Sequence, residues 1–148
     1  MRLTINHACP LKFSARDVWR VAGAFGSLHY IHSGTESSTL EDGGRLRVLV
    51  TDSGALLWER LLAFDDEQMT LSYQITDVKA LNNCPYGRGY VGQVRIVPDG
   101  PHACTFHYQG EFEPLPGYDE AQSRAAVQGF AQDCANGMAR YLQNQALA

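Results

Sequence analysis

A chain of 148 residues is long enough to form one domain that buries roughly two-thirds of its unfolded surface. Its 45% hydrophobic and 19% charged residues, with no repeat or low-complexity tract, are those of an ordinary globular protein. A net charge of −4 with singly scattered Lys and Arg excludes the basic stripe that nucleic-acid binding requires, and no stretch approaches the ~20 apolar residues of a membrane span.

Residues 2–9 alternate, with Leu3, Ile5, His7 and Cys9 on one side, and predict a strand that Pro10 ends. Ser14 is placed to cap a helix, with Asp17 three residues on and Val18, Val21, Ala22 and Phe25 as its apolar stripe. Trp19 lies at the stripe's edge, and Gly23 or Gly26 stops the helix. Residues 27–32 predict a second short helical turn. Strands are then predicted over residues 35–40, 45–51, 55–64, 68–76, 90–97 and 103–112, separated by turns such as Asp42-Gly43-Gly44 and Asp52-Ser53-Gly54. Connections this short favour antiparallel hairpins. Residues 77–89 form a longer loop of the kind that often borders a site. Asp119, with Gln122 as its capping partner, opens a long helix to about Leu142. Val127, Phe130, Cys134, Met138 and Tyr141 share one face of it. The reading is α+β, a single domain over residues 1–148.

Met1 to His7 carry no apolar run of signal-peptide length, so the expected location is cytoplasmic. Cys9, Cys84, Cys104 and Cys134 form no C-x-x-C pair and read as reduced thiols. Cys84, beside Pro85 in the long loop, is the one to test for reactivity.

Trp58-Glu59-Arg60 interrupts an apolar strand with charge. Adjacent strand residues face opposite ways, so Leu57, Glu59, Leu61 and Ala63 share one face, and Leu56, Trp58, Arg60, Leu62 and Phe64 the other. One face therefore carries a charge, either in an exposed cross-strand pair or as a cavity-lining group. His29 and His32, three apart in the short helix, could face the same way. No third ligand stands at a diagnostic spacing, so no metal is expected. Tyr73 and Tyr108 are tyrosines whose hydroxyls would need a partner in a partly empty interior. Gly87-Arg88-Gly89-Tyr90-Val91-Gly92 fits a dinucleotide fingerprint in letters only, because it opens a strand, and no cofactor is expected.

Asp17-Val18-Trp19, Phe25-Gly26-Ser27-Leu28-His29, Glu36-Ser37-Ser38, Gly44-Arg45-Leu46-Arg47, Leu57-Trp58-Glu59-Arg60-Leu61, Leu71-Ser72-Tyr73 and Gly110-Glu111-Phe112-Glu113-Pro114 resemble the START-like/Bet v 1-like (SRPBCC) superfamily. Within it, the resemblance is to the bacterial polyketide cyclase/dehydrase and lipid-transport group, including its MxaD-like members. It implies a helix-grip fold: a curved seven-stranded antiparallel sheet around the closing helix, with two short helices near the N-terminus. It also implies a cavity for a small hydrophobic or aromatic ligand. The positions carried over are Trp19, His29, His32, Glu59, Arg60 and Tyr73. Two departures bear on the pocket: Ile31 and Ser33 stand where relatives often have Trp and Pro, and Tyr108 where a Trp is common.

Two functions follow. One is an enzyme acting on an aromatic or polyketide-like molecule by acid/base chemistry, of cyclase or dehydratase type. Glu59, His29 or His32 would be its base, and Arg60 or Tyr73 its donor to an enolate oxygen. Trp19, Trp58, Tyr90, Tyr108 and Phe130 would line its ligand site. The other is a non-catalytic protein that binds or carries a hydrophobic ligand. A third reading is an accessory subunit that docks onto a larger protein through an exposed sheet edge, and the chain is compatible with an oligomer.

Overall fold

The computed structural model describes residues 1–147. Its elements run β1 (Leu3–Leu11), α1 (Ala15–Ala22), α2 (Leu28–Ile31), β2 (Thr35–Glu41), β3 (Leu46–Thr51), β4 (Leu56–Asp65), β5 (Thr70–Lys79), β6 (Val91–Pro98), β7 (Cys104–Phe112) and α3 (Glu120–Ala146). A single 3-10 turn, Asp42–Gly44, joins β2 to β3. The strands form one antiparallel sheet ordered β1-β7-β6-β5-β4-β3-β2. From β2 to β7 the chain is a meander, because every connection is short enough for a hairpin. Only the β1–β7 pairing, Leu3 opposite Phe112 through Leu11 opposite Cys104, joins the two ends of the chain. The sheet curves around α3, and α1 and α2 close one end; this is the helix-grip architecture.

The core follows from the alternation. Ile5, Leu71, Ile75, Ile96, Phe106 and Phe112 project from the concave face onto Val127, Ala131, Ala135 and Met138 of α3. Fully burying a side chain such as Ile or Met contributes about 1.5–3 kcal/mol. The Asp119–Gln122 capping box closes in both directions at 2.7 and 2.9 Å, which fixes where α3 starts. Gly137 sets where α3 crosses α2: a Cβ there would collide with the Ile31 carbonyl, so only glycine allows this approach. Among the described residues, no helix is long and apolar enough to cross a membrane.

Local departures from the predicted bounds have local causes. β1 continues through Pro10 to Leu11, because β1 is an edge strand and can turn the missing N–H to its unpaired side. β5 starts at Thr70 because Met69 adopts a positive φ of 53° in the preceding turn. It runs on to Lys79, which shortens the long loop to residues 80–90. α3 extends past Leu142 to Ala146. In β4 the pairing shifts between Leu61 and Ala63, so Leu62 is a bulge and the alternation changes parity there. Leu57, Glu59 and Leu61 face inward as one predicted register has it. Phe64, assigned to the other face by simple alternation, instead meets Trp19 of α1 at 5.3 Å between ring centroids.

Candidate functional site

The sheet's concave face, α2, Phe130 of α3 and the loop before β6 line a partly open cavity of about 170 Å³. A space of about 30 Å³ lies beyond Tyr73 and Tyr108, toward Val94, Phe106 and Met138. A wider depression of about 420 Å³ over Asn6, Gln93, Arg95, His107 and Gln109 is open and polar, on the outer face of the sheet. The 170 Å³ cavity is the candidate site, because its apolar walls carry a small number of buried polar groups.

The first group is an ion pair. Arg47 of β3 and Glu59 of β4 stand directly opposite each other, and both are buried. Arg47 Nε and Nη2 each lie 2.7 Å from Glu59 Oε1. Nη1 donates to the Phe25 carbonyl at 3.2 Å, and the guanidinium lies over the Phe25 and Tyr73 rings at 4.3 and 4.7 Å. Burial disfavours the guanidinium charge, but Glu59 and then the neighbouring phenols more than offset it, so the Arg47 pKa is raised and the side chain stays charged. Among the described residues no group donates to Glu59 Oε2, and Glu59 lines the cavity. That oxygen is its free acceptor.

The second group carries no formal charge. Tyr108 Oη lies 2.6 Å from Tyr73 Oη and 2.6 Å from Tyr90 Oη. Three phenols bring three O–H donors, and two contacts use two of them. One donor therefore remains for a ligand oxygen, however the hydrogens are arranged. Tyr86 stacks on Tyr90 at 4.2 Å. Burial, its largest cause, holds all four phenols well above their usual pKa, so they act as donors and not as phenolates. Gly92 and Gly110, cross-strand partners on β6 and β7, make the floor under the hydroxyls. A Cβ at Gly92 would sit 2.5 Å from Tyr73 Oη, and one at Gly110 2.6 Å from Tyr90 Oη.

The third group is His32. Its Nδ1 lies 2.8 Å from Thr35 Oγ1, its Nε2 3.7 Å from Asp133 Oδ2, and its ring packs on Phe130. Burial lowers its pKa, against the opposing pull of Asp133 and then Asp52, so the imidazole is neutral near pH 7.

Of the residues singled out in sequence, Glu59, His32, Tyr73, Tyr90, Tyr108 and Phe130 line one cavity. Four others do not. Arg60 points to the opposite side of β4 from Glu59 and pairs with Asp42 at 3.0 Å in solvent. Trp58 shares that outer face. Trp19 donates Nε1–H to Asp66 at 2.8 Å and is buried under α1 against Phe64. His29 stacks on Tyr30 at 4.1 Å, outside the cavity, its Nδ1 buried without a partner. His29 and His32 part company because α2 ends at Ile31 and His32 is already extended, at φ −103° and ψ 121°. Cys84 lines the cavity mouth, but burial raises its thiol pKa, which argues against an activated nucleophile. Among the described residues, no three His, Cys, Asp or Glu side chains converge as a metal-ligand set.

Sequence reading missed Arg47, Thr35, Tyr86 and Asp133. Arg47 had a usable signal: in a hairpin turning at Asp52-Ser53-Gly54, residues 47 and 59 are equidistant from Ser53 and must pair. The other three are placed by tertiary contacts.

The family profile described as "Polyketide cyclase / dehydrase and lipid transport" matches residues 3–143. No curated protein sequence matches the chain. Among solved structures, XoxI from Bacillus cereus superposes with a TM-score of 0.84 at 21% identity, over 97% of each chain. A START superfamily protein from Mycobacterium smegmatis gives 0.77 at 9% identity, over 96% of this chain and 98% of that one. Norcoclaurine synthase from Thalictrum flavum, in complex with dopamine and hydroxybenzaldehyde, gives 0.74 at 18% identity, over 97% of this chain and 88% of that one. At these identities the likeness concerns the fold.

Proposed function

This chain belongs to the polyketide cyclase/dehydrase and lipid transport family, and from that premise we propose that its cavity takes a one-ring aromatic carbonyl compound and moves a proton alpha to the carbonyl. The observation that carries this reading is the spare phenolic donor of the Tyr73–Tyr108–Tyr90 chain, set in a largely apolar cavity whose lining also holds the neutral His32 imidazole. A carbonyl oxygen that accepts from the phenol becomes more negative as the alpha proton leaves. The donor then stabilises the enolate more than the ketone, which is the differential binding catalysis needs. His32 is the base, and return of the proton to carbon or to a departing oxygen completes an isomerisation or a dehydration. Glu59 Oε2 orients a ligand hydroxyl. Its other oxygen, Oε1, is already committed to Arg47.

The volume sharpens the ligand class. A cavity of about 150 Å³ accepts benzene, so 170 Å³ suits a single ring with a short substituent and is too small for a folded polyketide chain. Dopamine and hydroxybenzaldehyde, held by the norcoclaurine synthase of similar fold, are molecules of that size. The competing reading, a non-catalytic carrier, draws on the same ion pair: a neutralised Glu59 orients without reacting.

Proton exchange separates the two. With 4-hydroxyphenylacetone in D2O, NMR should show saturable, protein-accelerated loss of the alpha protons, slowed at least tenfold by Tyr108→Phe and by His32→Gln. Saturable binding without accelerated exchange would establish the carrier. Neither binding nor exchange across a panel of one-ring ketones and aldehydes would sink the aromatic-carbonyl reading.

A further inference from the structure

A largely apolar cavity that takes a proton from its ligand needs somewhere to put it. We propose that Thr35, His32 and Asp133 form a hydroxyl–imidazole–carboxylate relay between cavity and solvent, in which Thr35 meets the ligand and Asp133 positions His32. This rests on the proton-transfer reading above and adds the path the proton takes.

The three groups are in series. Thr35 Oγ1 lies 2.8 Å from His32 Nδ1, and His32 Nε2 lies 3.7 Å from Asp133 Oδ2. Exposure rises along the series: 7% for Thr35 as a residue, then 21% and 32% for the side chains of His32 and Asp133. Thr35 and His32 line the cavity, whereas Asp133 does not. The order therefore runs from the chamber wall outward.

Asp133 is held in place independently of His32. Its Oδ2 accepts the Ser33 backbone N–H at 2.8 Å and its Oδ1 the Ser33 hydroxyl at 2.9 Å. Gly137, one helical turn further along α3, permits the close crossing of α2 that brings residues 32 and 133 together. Such double anchoring is more than a solvent-exposed aspartate needs, and it fixes a carboxylate oxygen toward one ring nitrogen.

That placement biases the tautomer through charge, since 3.7 Å is too long for a direct hydrogen bond. A carboxylate beside Nε2 favours Nε2–H, which leaves Nδ1 as the acceptor of the Thr35 O–H. In the forward step the ligand's acidic proton passes to Thr35 Oγ1 as Thr35's own proton passes to Nδ1. The imidazolium then stands beside Asp133, with Asp52 the further acidic group acting on the ring. The Thr35 hydroxyl and imidazolium protons exchange with water before the reverse transfer, from Nδ1 through Thr35, delivers a solvent-derived proton to the ligand, so protons balance over the cycle. Thr35 is the catalytic residue added here, and Asp133 acts only through His32.

The test has two arms. In the unliganded protein, 15N chemical shifts of the His32 ring should report the Nε2–H tautomer near pH 7.5. Asp133→Asn, which can keep both Ser33 contacts through its amide, should shift the ring toward a tautomer mixture. A wild-type ring in the Nδ1–H form would overturn the relay whatever the catalytic result. In the second arm, Thr35→Val should slow alpha-proton exchange of 4-hydroxyphenylacetone at least tenfold with its dissociation constant within twofold, and Thr35→Ser should restore the rate. Undiminished exchange in Thr35→Val would also overturn the relay. If the wild type binds the ketone but exchanges nothing, the proton-transfer function fails, and the tautomer arm alone decides the arrangement.

Discussion

The cavity's two buried polar walls solve the same problem differently. On β3 and β4, full charges face each other, and Arg47 spends its donors on Glu59 Oε1 and the Phe25 carbonyl. Beside them, with the guanidinium over the Tyr73 ring, three neutral hydroxyls share two hydrogen bonds and leave one donor over. A buried charge must be matched inside the fold before any ligand arrives, because leaving it alone costs several kcal/mol (roughly). A chain of hydroxyls is matched and still open. The charged wall therefore belongs chiefly to the fold, and the hydroxyl wall to the ligand.

The comparison breaks most visibly at the charged wall. Arg47→Met strands the Glu59 carboxylate, and urea denaturation should show a loss of about 3–5 kcal/mol. Pairing it with Glu59→Leu should recover much of that loss, since two apolar side chains leave no orphaned charge. A double variant no more stable than Arg47→Met alone would mean that the charge itself is not what the fold must match.

The hydroxyl wall should respond through its floor. Gly92→Ala puts a methyl where the Tyr73 and Tyr108 hydroxyls now lie, with Tyr108 Oη 2.7 Å from the new carbon. Displacing the phenols should cost about 1–3 kcal/mol and weaken binding of a carbonyl probe more than binding of the matching hydrocarbon. Equal weakening of both probes would point to lost volume and not to a lost donor.

A smaller, pH-dependent effect should come from His32. Burial holds its folded pKa below the ordinary value of about 6.5. The unfolded chain therefore binds a proton more readily than the folded one. Its contribution to stability is complete above about pH 6.5 and declines as pH falls through the depressed folded value. Comparing wild type with His32→Gln by denaturation from pH 7.5 down to 5 should show the gap narrowing toward acid. A gap that widens toward acid would place a raised pKa on this residue.

These contrasts show where the sequence is legible. Alternation, turn residues and the two capped helices give every element, because each is a local signal. The charge in β4 is legible too, and hairpin symmetry about Ser53 even supplies its partner. What one strand read alone does not supply is parity: the bulge at Leu62 carries Phe64 to the inner face, which no alternation rule foresees. The tyrosine chain needs β5, β6 and β7 side by side with glycines between. His32 and Asp133 meet only because a glycine lets two helices cross closely. Local chemistry is written along the chain, whereas juxtaposition depends on small residues whose role is to be absent.

Arg60 gives the smallest expected effect and the cleanest test of that parity. It follows Glu59 directly, carries full charge, and pairs with Asp42 at 3.0 Å with side chains 43% and 56% exposed. Water screens such a pair, so Arg60→Ala should cost about 0–1 kcal/mol and leave probe affinity and alpha-proton exchange unchanged. The contrast with Arg47→Met holds residue type and net charge change constant. Both substitutions remove one arginine from an ion pair, one buried on the inner side of the sheet and one exposed on the outer. Loss of exchange in Arg60→Ala would place residue 60 at the cavity, and the inward assignment of Glu59 would fall with it, since neighbours on a regular strand cannot share a face.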